Sequence, residues 1–235
     1  MYSEAYMFKR ERKGSLDART GSRFSVMTAD PAFPELPADA FGKVDAEDDA
    51  AFYAEARLVT HIDEGAVAAL TAFYRQALPA GGVVLDLMSS WVSHLPEDVA
   101  YREVIGHGMN AEELAANPRL TRSFVQDLNR DPILPLADAS VDAAMICVGV
   151  QYLQRPAAVL ADVARVLKPG APMIISFSNR CFPTKAVAVW RALDGRGHAA
   201  LVDLYLRRAG FAETQVHRLA EGWGRDPLTV VVGRT

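Results

Sequence analysis

The chain is poor in cysteine. Only Cys147 and Cys181 occur among 235 residues. Two thiols cannot build a disulfide scaffold or, by themselves, a four-ligand zinc site, and such usage is that of a reducing, cytoplasmic compartment. Long apolar runs are also missing: no stretch approaches the roughly 18 uncharged apolar residues of a membrane span, so no membrane association is expected. There is no basic excess. The formal net charge is −4, and no basic stripe with interleaved aromatics occurs, which argues against nucleic acid as a partner. Internal repeats and low-complexity tracts are absent. The histidines show no short ligand spacing, so no metal site is expected. What remains is ordinary for a globular protein: 50% hydrophobic and 23% charged residues, too apolar and too weakly charged for wholesale disorder.

The order of segments predicts three parts. Residues 1–30 are basic and lack the apolar core of a secretory signal, while Glu4, Glu11 and Asp17 argue against a transit peptide. They are expected to form a loosely ordered extension. Residues 31–80 read as a helical cap segment. Pro31, Pro34 and Pro37 give an extended start. Asp45, Glu47, Asp48 and Asp49 suggest a solvated, dipole-favoured helix start, followed by a helix from about Ala50 to Val59. A second helix follows the N-cap Asp63, with Val67, Leu70, Tyr74, Ala77 and Leu78 on one face. Pro79, Gly81 and Gly82 end it.

Residues 81–235 change period. Short apolar runs at 83–87, 102–106, 123–126, 141–148 and 171–177 read as buried parallel strands. Helices are expected at 111–116, 157–167, 185–193 and 199–209, and two final strands at 214–219 and 228–232. Strands alternating with helices imply an α/β fold, a mostly parallel sheet covered on both faces. The last two strands, joined without a helix, suggest an antiparallel edge hairpin. In such sheets a ligand lies beyond the carboxyl ends of the strands, where strand order reverses. Attention therefore falls on the loops after Leu87, Gly106, Gln126, Val148 and Phe177. On the cap, Tyr53, Arg57 and His61 are four apart and would share a helix face. Arg57 suits a carboxylate through paired hydrogen bonds, and His61 suits a general base.

The segments VVLDLMSS, DLNRDPILPLADASVDAAMICVGVQYL and AAVLADVARVLKPGAPMIISF resemble those of class I S-adenosylmethionine-dependent methyltransferases. The similarity covers about Val83 to Val232, and its most specific part is the helix-KPG-strand unit. It implies a Rossmann-like seven-stranded sheet, S-adenosylmethionine as cofactor, and direct in-line methyl transfer to a small-molecule acceptor. It also implies roles. Asp86 would orient the cofactor's amino-acid end beside Met88, Ser89 and Ser90, and Asp127 with the Leu128 amide would hold adenine. Gly108 and Asn110 stand where the ribose is gripped, and Val148 and Gln151 in the fourth loop. Tyr152 and His61 would serve the chemistry. Tyr53, Arg57, Trp91, Asn179 and Arg180 would hold the acceptor. A monomer or homodimer is expected.

Two departures are specific. Met88, Ser90 and Val92 stand where the family places glycines, and Gly108 replaces the ribose-binding acid. These support an alternative, a non-catalytic or regulatory binding protein on the same fold. A third reading is an enzyme using the fold for different chemistry.

Overall fold

The structure, a computed structural model, describes residues 30–222 and 224–235. The expected extension at 1–30 therefore lies, except for Asp30, outside the described residues.

Seven strands form one sheet: β1 (Val83–Leu87), β2 (Glu103–Gly108), β3 (Arg122–Val125), β4 (Ala143–Cys147), β5 (Pro172–Phe177), β6 (Glu213–Ala220) and β7 (Leu228–Arg234). Their order is β3-β2-β1-β4-β5-β7-β6. β1 to β5 pair in parallel, and β7 runs antiparallel to both β5 and β6. The final hairpin thus forms the sheet edge with β7 on its inner side. Along β1, β4 and β5 alternate residues enter two cores. Leu85, Leu87, Ala144, Ile146 and Ile175 face one; Val84, Ala143, Met145 and Ile174 face the other. This period of two is what a strand buried on both faces requires.

Helices cover both faces. α2 (Glu64–Ala77) starts at the Asp63 cap, whose carboxylate accepts the Ala66 N–H, and buries Ala66, Leu70 and Tyr74 along one stripe. On the opposite face lie α4 (Pro156–Val166) and α6 (Gly195–Arg208), joined by Phe33, Leu36 and Phe41 from the proline-rich segment. α3 (Ala111–Ala116) follows β2. α5 is a single turn, Ala188–Arg191, shorter than the expected 185–193. α6 begins earlier than expected because Asp194 caps a Gly-Arg-Gly start. The connections β1–β2 and β3–β4 contain no helix.

The main correction concerns the cap. α1 spans only Asp49–Phe52 instead of reaching Val59. The reason is a substitution of hydrogen bonds. Continuing the helix would pair the Arg57 N–H with the Tyr53 carbonyl. Instead the Arg57 N–H donates to Glu113 Oε1 at 2.7 Å, and the Tyr53 and Ala54 carbonyls accept from Asn110 Nδ2. Tyr53, Arg57 and His61 therefore do not share a helix face. Asp45 and Asp49 are not a solvated start either. Asp45 pairs with the buried Lys185, and Asp49 with Lys185 and Lys43.

Two predictions follow from this arrangement. Asn110→Ala removes both the α3 cap and the anchor of the cap segment; it is expected to cost about 1–3 kcal/mol and to speed tryptic cleavage after Arg57. Unchanged unfolding and digestion would refute that anchor. At Gly108 an added Cβ would lie 2.5 Å from the Ser89 carbonyl oxygen, so Gly108→Ala is expected to lower stability by about 1–3 kcal/mol in chemical denaturation.

Candidate functional site

A cavity of about 330 Å³ lies at the carboxyl ends of the strands, under the cap segment. Strand order reverses between β1 and β4, the place where open α/β sheets bind ligands. All five strand-end loops supply lining: Asp86, Met88, Ser89 and Ser90; Gly108; Asp127 and Leu128; Val148 and Gly149; and Arg180 and Phe182. Tyr53, Val59, Thr60 and His61 close it from the cap, with Tyr152 from the turn after β4.

The first loop is bent without glycine. Met88 sits at φ 58° and Val148, across the cavity, at φ 45°. His94, also lining, is at φ 53°. Side chains at such angles are strained, most of all a β-branched one. His107 fixes the loop: its Nδ1 accepts the Met88 N–H at 3.1 Å, and its Nε2 lies 2.9 Å from the Gln126 carbonyl. One neutral tautomer satisfies both contacts, and burial lowers the His107 pKa to about 4. The ring thereby ties the ends of β1, β2 and β3 together. The Ser89 N–H donates to the His107 carbonyl at 2.6 Å, which brings the Ser89 backbone against Gly108. Only glycine fits there, and this accounts for the missing acid.

Asp86 is 2% exposed. Burial pushes its pKa up to about 7, against the stabilising hydroxyls of Ser89 and Ser93. Ser89 Oγ donates to it at 2.6 Å. No cationic side chain pairs with it among the described residues. The three imidazoles that line the cavity, His61, His94 and His107, are shifted toward the neutral form. His61 is lowered chiefly by burial, with Glu113 raising and Arg57 lowering it, and His94 is lowered to about 4 by burial and by His61. Burial raises the Tyr152 hydroxyl to about 12 and also raises Tyr53. The Tyr152 oxygen accepts the Phe182 N–H at 2.8 Å. A hydroxyl so raised is a donor at neutral pH, not a base. Cys147 is likewise held as a thiol, raised to about 12 by burial.

Five expected site residues do not line the cavity. Asn110 spends its amide on the α3 cap and the cap segment. Gln151 is buried and donates to the Val148 carbonyl at 2.6 Å, bracing that strained turn. Trp91 Nε1 donates to the Val59 carbonyl, tying the first loop to the cap. Asn179 is exposed, in contact with the Ser178 hydroxyl. Arg57 stands one ring back, its guanidinium over Phe52 and Phe182. Arg180 lines the cavity but is ion-paired with Asp226 at 2.8 Å. Asp127 lines it while also accepting the Asn129 N–H.

Sequence reasoning missed Glu113 and Phe182. Glu113 lies in the first turn of α3, and its two oxygens take the Arg57 N–H and the Ser90 hydroxyl, the latter at 2.5 Å. Phe182 carried no periodic signal, yet its ring packs against Phe52, His61 and Tyr152.

Residues 89–175 match the family described as "Methyltransferase domain". A protein of Hahella chejuensis named malonyl-[acyl-carrier protein] O-methyltransferase is 26% identical over 167 residues, which cover 68% of this chain and 58% of that protein. The chain thus matches less than two thirds of this relative's length. Among solved structures, an S-adenosylmethionine-dependent methyltransferase of Thermotoga maritima superposes with a TM-score of 0.51 at 20% identity, covering 72% of this chain and 90% of that one. The [4+2]-cyclase SpnF superposes with a TM-score of 0.54 at 14% identity, covering 77% and 88%. Residues 89–175 thus match a methyltransferase domain in sequence, and the seven-stranded sheet shares the fold of the solved S-adenosylmethionine-dependent methyltransferase to which the chain is similar.

Proposed function

We propose that the chain is an S-adenosylmethionine-dependent methyltransferase acting on a small-molecule acceptor. The observation that carries this reading is Asp86: a buried carboxyl without a cationic partner among the described residues, at the switch point of the sheet and facing the cavity. Leaving a carboxylate there uncompensated is costly unless a cation arrives. S-adenosylmethionine carries an ammonium and a sulfonium, and when bound it supplies an activated methyl group. The lining suits such a ligand, since Asp86 and Asp127 face it while its three imidazoles are shifted toward the neutral form.

In this reading Asp86 holds the ammonium end. Asp127 and the Leu128 amide hold the adenine, and the Ser90 and Gly108 region receives the ribose without a charged grip. Met88 and Val148 wall the centre. Neutral His61 takes a proton from the acceptor, and the Tyr152 hydroxyl donates a hydrogen bond. The cap segment excludes water, which strengthens each of these contacts.

The alternative, a binding protein without transfer, draws on the first loop. The Ser89 and Ser90 hydroxyls already donate to Asp86 and Glu113, and the ribose acid is sterically replaced. The likeness to a cyclase adds that the fold alone does not choose the reaction.

Calorimetric titration of the folded chain with S-adenosylmethionine and then S-adenosylhomocysteine tests the proposal. Micromolar binding of both is expected. No binding at millimolar ligand would overturn it and favour the alternative. Because Asp86 must ionise to hold a cation, affinity should rise as pH passes upward through about 7. Asp86→Asn should weaken binding at least tenfold and abolish that dependence.

The same carboxyl makes a stability prediction. Its pKa in the fold exceeds the unfolded value of about 3.9. The native state therefore retains a proton that the unfolded chain has lost, and stability from this group falls as pH rises from about 4 to about 7. Asp86→Asn is expected to stabilise by about 1–4 kcal/mol at pH 8 and by little at pH 4. A gain independent of pH would contradict this account.

A further inference from the structure

Arg57 is the positive counterpart of Asp86. No carboxylate lies within ion-pair distance of its guanidinium among the described residues. Its Nη2 donates to the Phe52 carbonyl at 2.8 Å, and its buried Nη1 has no acceptor. The nearby cations are all spent: Lys43 on Asp49, Lys185 on Asp45 and Asp49, Arg180 on Asp226. Glu113 is close, but its two oxygens take the Arg57 backbone N–H and the Ser90 hydroxyl. The guanidinium carbon lies 4.5 Å from the Phe52 centroid and 5.7 Å from that of Phe182. Phe182 lines the cavity, and its other neighbours are His61 at 5.7 Å and Tyr152 at 6.0 Å between centroids. An unfilled guanidinium donor therefore stacks near the ring of the cavity-lining Phe182, with the His61 imidazole against the same ring.

We propose that Arg57 reads a carboxylate on the acceptor, and that the acceptor is a small aromatic hydroxy acid. An orphaned buried guanidinium N–H is costly and is relieved by a carboxylate, whose geometry matches its fork. Displacement of the Phe182 side chain by the acceptor would open the guanidinium to the cavity. The aromatic wall of Tyr53, Tyr152 and Phe182 receives a planar ring. A carboxylate held by a guanidinium is a poor nucleophile, so the methyl goes to the hydroxyl at the other end, beside His61. This last step rests on the methyltransferase reading. The acceptor O–H proton passes to the His61 imidazole, an oxygen lone pair forms the C–O bond, and the C–S bond breaks with its electron pair remaining on sulfur. The products are a methoxy acid and S-adenosylhomocysteine, and His61 returns its proton to water. An ammonium in place of the carboxylate would meet the guanidinium's like charge and be rejected.

The test is calorimetric titration of the full chain, without cofactor, with para-hydroxybenzoate, para-hydroxybenzamide and para-hydroxybenzylamine. The acid should bind at least tenfold tighter than the amide; any binding of the amine, which Asp86 can take in the absence of cofactor, should be unchanged in Arg57→Met and lost in Asp86→Asn. Arg57→Met should erase the difference between acid and amide, and Arg57→Lys, which keeps charge but loses the fork, should retain part of it. Equal binding of acid and amide by the unaltered chain, or no binding of any of the three, would overturn the proposal whether or not the variants fold. Titration with S-adenosylhomocysteine runs separately. If it binds and the acid does not, the carboxylate assignment fails and the methyltransferase reading stands. If the acid binds selectively and the cofactor product does not, the recognition by Arg57 holds and the transfer step falls.

Discussion

The first turn of α3 is the junction on which the site depends. Asn110 accepts the Glu112 and Glu113 N–H groups, as an N-cap should. Its amide nitrogen and the Glu113 carboxylate then reach away from the helix and take the two ends of a hydrogen bond that α1 would have made with itself. The backbone loses no hydrogen bond by the exchange, because each displaced group finds a side-chain partner. The chain gains a cap held open as a loop over the cavity. Glu113 also takes the Ser90 hydroxyl, so one carboxylate joins cap, α3 and first loop. Trp91 repeats the link through the Val59 carbonyl.

Beneath that junction, His107 does for the sheet what Glu113 does for the cap. It receives the first loop from β1 and contacts the carbonyl that follows β3. A loop bound this closely to β2 has no room for a side chain at Gly108, so the glycine-poor first loop and the absent ribose acid are one event rather than two. Where related folds let glycine backbone approach a ligand, this chain presses loop backbone against strand backbone and accepts strain at Met88 and Val148. Strain gathered around a cavity is the usual mark of a site held ready for a ligand.

Electrostatics divides the cavity in the same way. The buried charges at the cap are compensated among themselves: Lys185, 0% exposed, sits between Asp45 and Asp49. Among the described residues neither Asp86, which lines the cavity, nor Arg57, stacked on Phe52 and Phe182, has an ion-pair partner. A carboxyl at Asp86 and a guanidinium at Arg57 favour a cationic group beside the first and an anionic group beside the second. Arg57 keeps a buried Nη1 without an acceptor and Asp86 has hydroxyl donors but no cation among the described residues, a cost in stability that is common where a site awaits its ligand.

The sequence by itself determined the sheet, its parallel strands and its closing hairpin. Short apolar runs at 83–87 and 171–177, glycine and proline punctuation, and an N-cap such as Asp63 act within a few residues of one another. It also determined that the five strand-end loops should meet, since parallel topology brings carboxyl ends to one side. Asp86, Ser89, Asp127 and Tyr152 were legible as lining residues for that reason. Tertiary structure alone decided the rest. α1 stops at Phe52 because Asn110 and Glu113, more than fifty residues away, compete for its hydrogen bonds, and no local propensity carries that information. Gln151, Asn110 and Trp91 have the right chemistry to touch a ligand, but each side chain was claimed by a nearer backbone group. Phe182 became central only because three elements converge on its ring. Local patterns fix elements; which polar group meets which partner is set by distances that exist only after folding.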